Sequence, residues 1–269
     1  MKKVLVTGGL GYIGCATDAA LKAHGYYPVI TDKKIGSATE NILKMLIVVL
    51  RNRPIGIVHL SAKKSIGESK KHPIAYYWNN VSSTVSLVLL CRLFSIPIVF
   101  ASSASVYEPT NPYAKGKLVE EKVIRRVRSH VILRYFNIGG KAAGISDTAK
   151  QNIFSILDNM QKEGIMFTVN SPSSTRDYTH VLDIAEVNVQ ALEYLLAGNK
   201  SILTDVFSGV QHSVIDVIEE YRKNNVSILY ATNSAVDKTI YPKYNKLDLL
   251  SWAPTRSFSD IVRSEIEIS

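Results

Sequence analysis

Residues 4–14 read Val4-Leu5-Val6-Thr7-Gly8-Gly9-Leu10-Gly11-Tyr12-Ile13-Gly14. The apolar residues 4–6 make a short buried strand, and the stretch from Tyr12 to about His24 has helical character. A glycine-rich turn between strand and helix brings backbone N–H groups and the positive helix end to a pyrophosphate. Gly8 permits the tight turn, Gly11 lets phosphates approach, and Gly14 lets helix and strand pack. Tyr27–Thr31 reads as a second strand and ends at Asp32. An acid roughly twenty residues past the glycines suits the ribose hydroxyls of NAD. Lys33 and Lys34 beside it would suit the extra phosphate of NADP; NAD is the expectation.

Working outward, strands at 56–60, 98–101 and 131–134 alternate with helices at about 38–52, at 73–94 and from Pro112. That rhythm predicts an α/β fold, a Rossmann-type doubly wound parallel sheet. After Gly140 it loosens. Residues 152–161 read as a helix, 166–169 as a strand and 171–175 as a polar turn. Helices at 183–197 and 214–222 follow, and Ser251-Trp252-Ala253-Pro254 precedes a last amphipathic helix. Residues 1–150 are expected to form the NAD-binding domain, with segments near 176–200 packing back onto it. Residues 151–269 are expected to be mainly a small substrate-binding lobe.

The chain of 269 residues is 46% apolar and 20% charged, ordinary for a globular protein, with a net charge of +9. A basic balance favours anionic ligands. The cations are scattered and form no long run, which points to a phosphate-bearing small molecule rather than nucleic acid. Cys15 and Cys91 both fall in predicted helices, and the six histidines are dispersed, so neither a disulfide framework nor a metal site is expected. The apolar run after Met1-Lys2-Lys3 is too short for a signal peptide and reads as a strand. Ile42–Leu50 is interrupted by Lys44 and too short to span a bilayer. A cytoplasmic protein with no membrane partner is expected.

Chemistry concentrates in residues 98–117, IVFASSASVYEPTNPYAKGK. Tyr113 and Lys117 are one helical turn apart and share a face. An ammonium beside a phenol favours the phenolate. A serine at the end of the preceding strand can hydrogen-bond the same substrate oxygen, and together these make a proton-transfer site for an alcohol becoming a ketone. The polar loop Ser61–Ser69 follows the third strand, where open α/β sheets carry function.

These motifs resemble those of the extended short-chain dehydrogenase/reductase family and, within it, the UDP-glucose (UDP-galactose) 4-epimerases. The likeness covers most of the chain. It rests on Thr7–Gly14, Lys64-x-x-Gly67-Glu68-Ser69, Tyr76-Tyr77-x-Asn79-Asn80-Val81, Ser102–Tyr107 and Tyr113-x-x-x-Lys117. Leu133–Asn137, Arg176-Asp177-Tyr178-x-His180-Val181 and Trp252-x-Pro254 also match. The Lys-x-x-Gly-Glu-Ser motif is the most specific of them. The resemblance implies that Ser103, Tyr113 and Lys117 are catalytic. It implies that Tyr12, Ile13, Asp32, Leu60, Ser61, Ala62, Lys64, Asn79 and Phe136 line the NAD site with Gly8, Gly11, Gly14, Tyr113 and Lys117. Asn137, Asn152, Arg176 and Tyr241 would line the UDP-sugar site with Ser103. A guanidinium such as that of Arg176 is a natural clamp for a diphosphate, and Tyr241 would leave little room for an N-acetyl group.

The implied activity interconverts UDP-galactose and UDP-glucose through a transient 4-keto sugar. Related dehydratases carry an Asp-Glu pair where Ala104 and Ser105 stand, so the acid needed to expel a 6-hydroxyl is missing. Other departures are the want of an acid between Asn41 and Ile57, the short loop from Tyr107 to Tyr113, and Ser234 where a second diphosphate arginine is expected. The second glycine after Ser208-Gly209 is also absent. A reductase or dehydrogenase on the same scaffold and a non-catalytic nucleotide-binding protein are the rival readings. Relatives pair through two helices, so apolar stripes on the outer faces of the helices near 73–94 and 112–128, and a homodimer, are expected.

Overall fold

The computed structural model describes residues 1–36, 41–62, 73–142, 144–145, 152–172, 174–233 and 238–267, with only the backbone of residues 73, 75–77 and 79. Lys64 with its motif, Ser234, and the side chains of Tyr76, Tyr77 and Asn79 lie outside the described residues.

The alternating pattern becomes a six-stranded sheet in the order β2-β1-β3-β4-β5-β9, all neighbours parallel. Its strands are β1 (Lys3–Thr7), β2 (Tyr27–Thr31), β3 (Gly56–His59), β4 (Ile98–Ser103), β5 (His130–Tyr135) and β9 (Ile202–Val206). The sixth strand comes from beyond residue 150, so the sheet is complete only at Val206. Strands buried on both faces must be apolar throughout, and Val4–Val6 and Val131–Leu133 have no exposed surface.

One face is covered by α1 (Tyr12–Ala23) and α6 (Val181–Leu196), which pack on each other. Asn188 of α6 joins them to the sheet: its Nδ2 donates to Thr17 at 3.1 Å and its Oδ1 accepts from the Tyr135 hydroxyl at 2.5 Å. The other face holds α2 (Ile42–Asn52), α3 (Pro73–Phe94) and α4 (Pro112–Ile124) over a core that includes Leu5, Ile57, Leu87 and Phe100.

Helix α3 is apolar on both sides. Ile74, Trp78, Val85, Leu89 and Leu93 recur on one outward face, with Trp78 73% and Leu93 70% exposed. On helix α4 the exposed residues are Lys115 and Lys122, with Leu118, Val119 and Val123 half-buried, while the inward face uses Ala114, Lys117, Glu121 and Ile124.

The lobe has a core of its own around Phe154, Tyr178, Ile218, Tyr221 and Ile261. Its strands other than β8 are short: β6 (Asn137–Gly139), β8 (Thr175–His180) and β10 (Gln211–Ser213) form one sheet, and β7 (Phe167–Val169) pairs with β11 (Tyr230–Thr232). Helices α5 (Ile153–Glu163), α7 (Val214–Lys223) and α8 (Phe258–Glu267) complete it. Among the described residues no helix is long and apolar enough to cross a membrane.

Candidate active site

The order 2-1-3 places a switch of direction between β1 and β3, and in open parallel sheets ligands settle outside the carboxyl ends of such strands. The loops after β1 and β3 meet there. Gly8 has φ +70°, and a Cβ on it would lie 2.8 Å from the backbone of Ser61; both conditions demand glycine. Its N–H donates to Thr31 at 2.8 Å, tying the turn to β2.

Gly14 has a different job from the one its spacing suggests. A Cβ there would stand 2.3 Å from the Gly8 carbonyl oxygen and 2.7 Å from Gly9. It lets the loop fold over the first turn of α1 rather than letting the helix meet the strand. Gly11 caps α1 with no side-chain cap bond of its own, and the positive end of a helix at such a turn favours an anion. This cradle fits the pyrophosphate of a dinucleotide.

Asp32 is held in place from both sides. Its Oδ2 accepts from Leu10 N–H at 3.2 Å and its Oδ1 from Lys34 N–H at 3.0 Å. The Lys34 ammonium donates to the Leu10 carbonyl at 3.2 Å. That bond draws one of the two nearby cations onto the glycine loop, which leaves the acid as the natural partner of a ribose diol. Of the other residues assigned to this site, Tyr12 gives its hydroxyl proton to the Gly140 carbonyl, and Ser61 N–H donates to Thr7 at 3.4 Å. Ile13 and Leu60 pack on the core beneath, Ala62 is half-buried, and Phe136 is buried edge-on to Phe207 with ring centroids 6.3 Å apart.

Beside the cradle, β4 ends at Ser103 and the chain makes a tight turn through Ala104–Tyr107. Ser103 Oγ accepts from Ser105 N–H at 3.2 Å, which fixes its rotamer and leaves its own proton to donate. Helix α4 leans on this turn. It starts cleanly because Asn111 Oδ1 accepts from Ala114 N–H at 2.9 Å and Pro112 holds the first helical position. Tyr113 lies in that first turn, half-exposed, and its hydroxyl has no partner among the described residues.

One turn on, Lys117 is buried. Its Nζ donates to the Ala101 carbonyl at 3.0 Å, sits 4.6 Å over the Phe100 ring and stands 3.0 Å from Glu120 Oε2. Glu120 was not singled out by the sequence; in the acidic pair Glu120-Glu121 it looks like solvated helix surface. Its position three residues after Lys117 was the available signal. Its side chain is 0% exposed.

A polar chain runs from Glu120 back to the cofactor loop. Thr84 Oγ is 3.2 Å from Glu120 Oε1 and 3.1 Å from His59 Nε2, and His59 Nδ1 is 2.7 Å from Thr7 Oγ. Burial, with the Lys117 charge added, pushes His59 down to about 3, so this ring is neutral. Glu121 serves β5 instead, accepting Arg134 at 2.8 and 2.7 Å and the Ser102 hydroxyl at 2.7 Å. Ser105 was also passed over, and its buried hydroxyl has no partner among the described residues.

The sugar side is less gathered. Asn137 and Arg176 lie on neighbouring strands β6 and β8. Arg176 Nη1 donates to the Thr175 and Lys238 carbonyls at 2.9 and 3.4 Å. Asp177 accepts from Ser208 and Gly209 N–H at 2.7 and 2.8 Å, which fixes that loop although its second glycine is missing. Burial nonetheless holds the Asp177 carboxyl above its ordinary range. Asn152 is the N-cap of α5: its Oδ1 accepts from the Ser155 N–H and hydroxyl, both at 2.7 Å, leaving its amide N–H groups for a ligand. Tyr241 is 60% exposed. It precedes a stretch anchored by Asp205, which accepts from Lys243 and Tyr244 N–H at 2.7 and 2.9 Å.

A glycine cradle at the switch point, an acid at the end of β2 and a Ser/Tyr/Lys set on the next loop and helix agree with comparison to known proteins. The profile of the NAD dependent epimerase/dehydratase family matches residues 4–203. The chain belongs to this family. Among curated epimerase/dehydratase relatives, the UDP-glucose 4-epimerase of Rhizobium meliloti (strain 1021) is 29% identical over 97% of this chain and 95% of its own. A UDP-glucose 4-epimerase of Schizosaccharomyces pombe is 30% identical over 82% and 79%. In fold, the UDP-glucose-4-epimerase of Stenotrophomonas maltophila with bound NAD and formylated UDP-arabinopyranose superposes with a TM-score of 0.89 at 24% identity, covering 99% and 97% of the two chains. The Bifidobacterium longum enzyme in complex with NAD+ and UDP gives 0.86 at 26% identity, covering 98% and 97%.

Proposed function

We propose that the protein is a nucleotide-sugar 4-epimerase that interconverts UDP-galactose and UDP-glucose. The observation that carries this reading is the unengaged hydroxyl of Tyr113, in the first turn of a helix that packs on the turn after Ser103 and carries the buried Lys117 one turn on. NAD, held by the glycine loop and Asp32, supplies a reversible hydride acceptor for C4 of the sugar. Tyr113 takes the proton of the 4-hydroxyl and later returns it. Ser103 donates a hydrogen bond to the same oxygen as it becomes a carbonyl. Lys117 keeps positive charge under the phenol. Arg176 and Asn137 grip the nucleotide diphosphate side, while the sugar itself must turn over to present its other face. A loose sugar grip suits that step, since tight binding of one face would stabilise only the ground state.

The reading includes a cytoplasmic homodimer. Two free thiols, Cys15 and Cys91, suit a reducing compartment. The outward apolar face of α3 is of the kind that a second copy covers. The test is redox bookkeeping: with UDP-galactose and no added coenzyme, we expect UDP-glucose over many turnovers, deuterium at C4 retained at C4, and no rise in free NADH. Stoichiometric NADH with oxidised sugar would replace this reading with a dehydrogenase. Ligand binding without either product would make the protein a non-catalytic nucleotide binder.

A further inference from the structure

The net charge of +9 is scattered in sequence but not in space. A cleft of about 1040 Å³ opens at the amino-terminal edge of β4, β5 and β9, lined by Arg92, Arg125, Arg126, Arg128 and Lys200. These come from the last turn of α3, the turn after α4 and the turn before β9. All five are exposed, no acidic residue lines the cleft, and no carboxylate pairs with any of the five among the described residues.

Cations near helix C-termini are favoured by the helix dipole, which accounts for Arg92 and Arg125 taken singly. It does not account for Arg128 and Lys200, which lie on turns and line the same space. The walls are built. Ser201 Oγ accepts from His130 N–H at 3.0 Å and donates to the Arg128 carbonyl at 2.9 Å, and His130 Nδ1 lies 2.8 Å from the Val127 carbonyl in the same turn. These bonds lock the Arg128 turn to the Lys200 turn. A cleft lined by one sign of charge focuses its field and concentrates counter-ions.

We propose that this cleft is a second anion site that takes a linked phosphate chain, as carried by a nucleoside triphosphate or a short inorganic polyphosphate. The volume exceeds the need of a single phosphate and matches the upper range of small-ligand pockets. The cleft is separate from the Ser103 site: it is lined by Ser95 and Ile96 just before β4, and five residue steps put about 16 Å of strand between Ile98, where β4 starts, and Ser103, where it ends.

Calorimetric titration of the full chain with inorganic tripolyphosphate, and separately with ATP, tests it. We expect saturable one-to-one binding that weakens with salt and persists in saturating UDP-galactose. Similar affinity for the two probes marks the phosphate chain as the recognised part; tighter ATP adds its base. R125E/R128E/K200E should lose affinity by at least about tenfold per cation removed, while its turnover of UDP-galactose stays at the wild-type value. Should the reversal variant fail to fold, R125Q/R128Q should still cost about a hundredfold on the same reasoning. Unchanged binding in these variants, competition by UDP-galactose, or tighter binding of a single-stranded oligonucleotide than of either probe would overturn the proposal.

Discussion

Replacing Glu120 by Gln removes one charge from a pair that the fold keeps almost dry. The Lys117 and Glu120 side chains are 5% and 0% exposed and their charged atoms are 3.0 Å apart. The amide keeps the shape and can still meet Thr84, so the change isolates the charge. Among the described residues, Lys117 is then left with the Ala101 carbonyl as its one hydrogen-bond partner. Two unit charges at this distance attract by about 5 kcal/mol at an effective dielectric constant near 20. Removing one member of a buried pair typically costs about 3–5 kcal/mol, because the other charge stays desolvated. For a chain of this size each kcal/mol moves the melting temperature by about 2–4 °C, so E120Q should melt roughly 6–20 °C lower by the same relation. Thermal unfolding followed by circular dichroism, with a urea titration beside it, measures this. The double variant K117M/E120L, which removes both charges, should recover most of the loss. A shift below about 2 °C for E120Q, or a double variant as unstable as the single, would refute the idea that the pair is dry and coupled.

Tyr113→Phe should lower turnover about 10²–10⁴-fold, the usual loss for a positioned proton-transfer group, with coenzyme binding retained; steady-state rates and a binding titration check both halves. Arg176→Ala should weaken UDP-sugar binding by about 1.5–3 kcal/mol and leave NAD binding unchanged, and equal losses in calorimetry would make the residue structural. Acid should destabilise the fold through two buried histidines, His59 held at about 3 and His180 at about 4, each chiefly by burial. Below the unfolded value near 6.5 the unfolded chain takes up their protons first, so stability falls with pH, by up to about 1.4 kcal/mol per unit for each histidine, until the folded values are reached. Asp177 and Glu265, both raised by burial, work in the opposite sense. Urea midpoints between pH 7 and 5 should therefore drop in wild type and drop less in His59→Asn, provided that variant folds.

The sheet and its first loop were legible because Val4–Gly14 joins two short-range signals, a buried strand and a glycine turn, that need no tertiary information. Tyr113 and Lys117 were legible for the same reason, being one turn apart. Asn152 carried a signal of its own: an Asn just before an apolar helical stretch is a preferred N-cap. Glu120 was not legible, since only the packing of α4 against β4 and α3 decides that this acid, and not Lys115, turns inward. Strands β6, β10 and β11 are too short, and β8 is too polar, to show an alternation of their own; their pairing is set by partners far away in the chain. The five cations of the remote cleft belong to segments that meet only when β9 docks beside β5.

The phenol of Tyr12 closes on the carbonyl of Gly140, and Gly140 gives its own N–H to Glu265 on the final helix at 2.9 Å. Lys141 N–H adds a bond to Ser264 at 3.0 Å. The first residue of α1 and the helix at residues 258–267 are thus fastened to the same two residues that follow β6. Fraying of that helix loosens the seat of Tyr12, and whatever occupies the loop must resist the fraying by mass action. Amide exchange at Ile261 and Val262 therefore becomes a gauge of coenzyme occupancy, read at the far end of the chain from the site that binds it.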